Sequence, residues 1–152
     1  MADTLQTSQL VTVLQQAVGP VVVISGVGLL LLTMTNRLGR IVDRSRLLAY
    51  QARTSEGEAE EAAHIQLRIL YQRARFVRWA ILLAGICVLF IALVIITLFI
   101  TALLKVQVVW LVAAFFIISM LCLVSSLVFF VRDIDKSLHA TAVEVGDDWA
   151  KK

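Results

Sequence analysis

The sequence predicts an all-α membrane protein, with three transmembrane helices and a cytoplasmic helical hairpin continuous with spans one and two. Three observations lead there. Hydrophobic residues make up 60% of the 152-residue chain, above the roughly 45–50% of soluble domains. The excess is gathered into three blocks, Val18–Thr35, Ala80–Leu104 and Val106–Val131, none of which contains an Asp, Glu, Lys, Arg or His. Nine arginines (Arg37, Arg40, Arg44, Arg46, Arg53, Arg68, Arg73, Arg75 and Arg78) lie between the first block and the second. A charge-free apolar run of about 18 or more residues is long enough to cross a bilayer as a helix.

Residues 1–17 place Leu10, Leu14 and Ala17 at helical spacing and carry only Asp3 as a charge. They read as an uncharged amphipathic helix on the outer membrane surface. No Lys or Arg precedes the first block, which argues against a secretory signal peptide. Residues 18–35 form the first span. Pro20 is expected to mark the bend between the surface helix and the span, because the residue before proline avoids helical geometry. Ser25, Gly26, Gly28 and Thr33 give this span a small, weakly polar side suited to close helix packing or, in an assembly, to facing a pore.

Residues 36–79 read as an Arg-rich helical hairpin. In its first arm Leu38, Ile41, Val42 and Leu48 recur at helical spacing, and Arg37, Arg40 and Arg44 share an adjacent face. Asp43 stands three residues from both Arg40 and Arg46, the spacing of an intrahelical ion pair; a pair to a second subunit is the alternative. The break at "RTSEGEAEE" contains Gly57, and Thr54 or Ser55 is placed to cap the next helix. The second arm has two apolar stripes. Ile65, Ile69 and Phe76 form one; Leu67, Leu70, Ala74 and Val77, with Ala63, form the other. The first arm can cover one stripe. The Leu67–Val77 stripe is therefore read as an oligomer contact, since a two-helix hairpin has little core of its own.

Residues 80–104 and 106–131 form spans two and three, joined tightly at Lys105. The hydroxyls of Thr97, Ser119, Ser125 and Ser126 are expected to bond back to their own helix carbonyls. Residues 132–152 read as a cytoplasmic tail, whose acids Asp133 and Asp135 either pair with the arginine-rich hairpin or stay solvated.

Lys and Arg collect on the cytoplasmic side of membrane proteins. The arginine-rich segment and the C-terminus are accordingly expected inside, and the N-terminus outside, in a bacterial-type inner (plasma) membrane. Arg37, Arg40, Arg44 and Arg46 are expected to contact an anion or lipid headgroups. All four are arginines rather than lysines, which favours planar, two-pronged recognition of a phosphate or carboxylate.

The formal net charge of +3 flanks spans, so it points to membrane lipid and not to nucleic acid. The chain contains no H-E-x-x-H, G-x-S-x-G or phosphate-binding glycine loop, so catalytic residues, metal ligands and cofactors are not expected. His64 and His139 are solitary, and Cys87 and Cys122 fall inside spans as packing residues.

The passages "GPVVVISGVGLLLLTMTNRLGRIVDRSRLL" and "QLRILYQRARFVRWAI" resemble domain-of-unknown-function family 2721. The most specific part is Asn36, Arg37, Asp43, Arg44 and Arg46 directly after the first span. The resemblance implies a small bacterial-type inner-membrane protein and supplies no activity. Three readings stand side by side: a homo-oligomer, in one form a channel with a basic cytoplasmic vestibule; a scaffold binding anionic lipid or a partner; and an accessory subunit of a larger membrane complex.

Overall fold

A computed structural model describes residues 2–54, 57–104 and 108–150, with side chains described for all of these except 2–10, 12, 13, 58, 59, 62 and 136–150. The side chain of Leu10, the Ser55 cap, the Lys105 turn and the side chain of His139 lie outside the described residues. Three helices are present: α1 (Ala2–Thr54), α2 (Glu58–Leu104) and α3 (Val109–Ala150). No strand occurs among the described residues. Each helix contains a stretch long and apolar enough to cross a membrane, within Leu14–Thr54, Ala63–Leu104 and Val109–Asp135.

Two boundaries differ from the sequence expectation. α1 passes through Pro20 without a break, so residues 2–17 and the first span belong to one helix. Proline removes a single ladder donor, a loss that apolar helices of this length tolerate. α3 likewise continues to Ala150: nothing in "RDIDKSLHATAVEV" breaks a helix, and the region read as a tail extends the third span.

The α1–α2 connection turns at Gly57, whose φ of 73° is open to glycine at little cost. Its carbonyl accepts the amides of Glu60 and Glu61 at 3.1 and 3.3 Å and so starts α2. Thr54 does not cap α2. Its hydroxyl donates to the carbonyls of Tyr50 and Gln51 in the last turn of α1, at 3.1 Å each.

The chain divides into two compact units. The first comprises Met1–Leu32 with Leu83–Ser125, the second Thr33–Leu82 with Ser126–Lys152. In the first, Val27, Ala84, Cys87 and Ile91 form the core, with Cys122 and Leu123 of α3 packed against it. Phe90 and Phe115 meet there with ring centroids 5.8 Å apart. In the second, Met34, Ile41 and Leu48 of α1 pack with Leu70, Val77 and Ala80 of α2, and Phe129 and Phe130 of α3 close the cluster. Met34, Ile41 and Leu48 are seven residues apart, as are Leu70 and Val77. That interval keeps one seam of each helix facing its neighbours when helices wind around one another.

Candidate functional site

The seam of α3 in the second unit is polar. Ser126 and Asp133, again seven apart, are both fully buried. Ser126 lets α3 approach α2 closely: its Oγ donates to the Ala80 carbonyl at 2.7 Å, across 46 residues of sequence. Of the four hydroxyls expected to bond back along their own helix, Thr97, Ser119 and Ser125 do so, whereas Ser126 joins two helices. Alanine at position 80 leaves room for this approach.

Two turns further along α3, Asp133 meets an arginine from each of the other helices. Arg37 Nε of α1 lies 2.7 Å from Oδ2, and Arg73 Nε of α2 lies 3.6 Å from Oδ1. The Arg37 guanidinium carbon also sits 5.8 Å from the centroid of the Phe130 ring, within cation–π range. Beside it Phe129 packs on Phe76 at 6.3 Å. The charges are close but not joined by aligned hydrogen bonds: neither Asp133 oxygen nor Arg73 Nε has a well-directed partner. The 2.7 Å contact is therefore an ion contact whose N–H is not aimed at the oxygen. Two guanidiniums face one carboxylate, leaving one positive charge in excess at the cluster. Removing one member of a buried ion pair strands its partner and typically costs about 3–5 kcal/mol.

The other expected site residues fall in different places. Arg40, Arg44 and Arg46 are exposed. Asp43 is exposed as well and forms no ion pair among the described residues; the carboxylate that organises the arginines is Asp133. Asp43 is nearer in sequence, but its place on α1 points it outward, while α3 delivers Asp133 to the interior. Asp135, two residues on, is exposed.

The stripe read as an oligomer contact is internal. Leu70 and Val77 are buried in the second core, with Leu67 and Ala74 packed against it. The stripe packs on Met34, Ile41 and Leu48 of α1, and Phe129 and Phe130 of α3 close the cluster. Ser25, Gly26, Gly28 and Thr33 are exposed, and a Cβ added at Gly26 or Gly28 would meet nothing within 4 Å. The buried residues of this stretch are Val27 and Met34.

No group of three or more His, Cys, Asp or Glu that could hold a metal ion occurs among the described residues. His64 is an exposed residue whose Nε2 lies 3.7 Å from Glu60 one turn earlier. Sequence reasoning raised pairing by Asp133 without selecting it over Asp135. The seven-residue step from Ser126 is the signal that distinguishes them.

A family model described as "Protein of unknown function (DUF2721)" matches residues 17–143. No curated protein and no solved structure matches the chain. With the match covering most of its length, the chain belongs to the DUF2721 family.

Proposed function

We propose that this member of the DUF2721 family is a multi-pass protein of a bacterial-type inner membrane, and that its arginine-rich unit acts as a non-catalytic scaffold for anionic lipid headgroups. One observation carries the reading. After the core of the second unit has taken Arg37 and Arg73, the residues Arg40, Arg44, Arg46, Arg68, Arg75 and Arg78 remain exposed on α1 and α2. They begin five residues past the end of one charge-free block and end two residues before the next. Arg40, Arg75 and Arg78, within five residues of a block, are placed to meet the headgroup layer, where each Lys or Arg contributes about 1 kcal/mol of attraction to anionic lipid. The arginine asymmetry supports an orientation with this unit and the C-terminus in the cytoplasm and the N-terminus outside.

Two experiments test the reading. Single cysteines at Thr4 and Ser55, in a chain lacking Cys87 and Cys122, report orientation. The first should label in spheroplasts and the second only after the cytoplasm is opened; the reverse pattern contradicts the orientation. The full chain in nanodiscs should retain phosphatidylglycerol over phosphatidylcholine, with the preference falling as salt rises. Equal retention contradicts the scaffold reading.

A second reading is favoured by the open side of the first span. Ser25, Gly26 and Gly28 are exposed and suit close approach by another copy. In a homo-oligomer they would face neighbours or an axis, giving a channel with a basic mouth. A monomeric mass in nanodiscs contradicts it.

A further inference from the structure

We propose that the outer edge of Arg37 is a phosphate site: its two terminal nitrogens hold a phosphate oxyanion of an anionic lipid, while Asp133 and the Phe130 ring fix the guanidinium from behind. This rests on the scaffold reading and narrows it to one residue. A guanidinium carries five N–H donors in a rigid plane. In Arg37 the Nε atom lies 2.7 Å from Oδ2 of the fully buried Asp133, an ion contact without a directed hydrogen bond, and the ring centroid of Phe130 lies 5.8 Å from its guanidinium carbon. The terminal nitrogens have no protein acceptor among the described residues, and the side chain is 27% exposed.

Asp133 thus holds the guanidinium by charge at Nε, and the terminal nitrogens are left without an acceptor among the described residues. That is the arrangement in which a planar fork binds a phosphate by two parallel hydrogen bonds with little ordering left to do. Its position favours lipid as the source. Arg37 is two residues beyond Thr35, the end of the first charge-free block, and the exposed Arg40 stands one turn further on. The second arginine, Arg73, matters because the cluster keeps a positive charge in excess after Asp133 is counted. In this arrangement the carboxylate favours anion binding. Asp133 is a positioning residue, and its negative charge is outweighed by the orientation it imposes.

The test follows from that inversion. The full chain in detergent is titrated with phosphatidylglycerol, phosphatidylcholine and inorganic phosphate, and bound species are counted by native mass spectrometry. Arg37→Lys keeps the charge and loses the fork, Phe130→Leu loses the ring, and Asp133→Asn makes the chain one charge more positive. Each should weaken phosphatidylglycerol binding about tenfold, the loss expected for one charge-assisted hydrogen bond. Folded helix content is confirmed by circular dichroism. Should Asp133→Asn not fold, the Arg37→Lys and Phe130→Leu variants decide the matter alone.

Variants that bind phosphatidylglycerol as tightly as the wild type, or an Asp133→Asn chain that binds it more tightly, overturn the site and leave a diffuse basic surface. Displacement of the lipid by inorganic phosphate at equal concentration supports the site and reassigns it to a free anion. A wild type with no preference for phosphatidylglycerol overturns the scaffold reading and this inference together. A wild-type preference that survives in every variant overturns this inference only.

Discussion

The first unit buries Val27, Ala84, Cys87 and Ile91 and wears large apolar side chains outside, among them Leu29, Leu89 and Leu121. The second has a comparable apolar core, but adds a buried acid with two arginines and wears Arg40, Arg44, Arg46, Arg68, Arg75 and Arg78 outside. In the proposed topology the first unit lies in lipid, and the second leaves it beyond Thr35, before Ala80 and after Val131. Where the exterior is as apolar as the core, burial supplies little driving force, and packing depends on close contact and on a few hydrogen bonds. Where the exterior is charged and wet, apolar burial contributes about 25 cal/mol per Å². The same helices can then also carry a charge that fixes their register, since only this packing brings Asp133 against Arg37 and Arg73.

The largest expected effect breaks that compensation. Asp133→Ala leaves the part-buried Arg73 and Arg37 without a carboxylate and should destabilise the fold by about 3–5 kcal/mol, read by denaturant titration in mild detergent. The next prediction compares the two cores directly. Ile41→Ala in the second unit, beyond the first charge-free block, removes a buried side chain and should cost about 2–5 kcal/mol. Ile91→Ala in the first, also buried, should cost less, because lipid replaces the lost neighbours in the unfolded reference. Equal losses would mean that both units share one solvent. Ser126→Ala removes the bond from α3 to the Ala80 carbonyl and should cost about 0.6 kcal/mol, the mean for such bonds between membrane helices. Asp43→Asn, at an exposed residue, should stay within about 0.5 kcal/mol. A larger loss there would restore Asp43 as a structural partner.

Composition alone made the three helices legible, because a charge-free apolar block has few other folds open to it. Leu70 and Val77 were legible as a stripe that needed covering, but not what covers it. The sequence of α3 turns charged at Arg132, which reads as the end of a span, and nothing in hydropathy says that the helix continues. Arg37 could be singled out by its place after the first block. Its partner could not. Asp43 lies within one helical turn of Arg40 and Arg46, and local spacing favours it, whereas Asp133 is distant in sequence and becomes adjacent only once three helices are packed. Pro20 misled for a simpler reason: it costs one donor and a ring clash with the carbonyl one turn back, and the remaining ladder of a long helix outweighs both.

The central claim is that Asp133 and Arg37 act as a coupled pair inside the second unit. A double-mutant cycle measures this most directly, using Arg37→Gln, Asp133→Asn and the double variant, with unfolding free energies from denaturant titration in one detergent. The buried contact at 2.7 Å predicts an interaction energy of at least about 1 kcal/mol, with the double variant less damaged than the sum of the two singles. Losses that add within about 0.5 kcal/mol would show that the two side chains are neighbours without coupling, and would contradict the account.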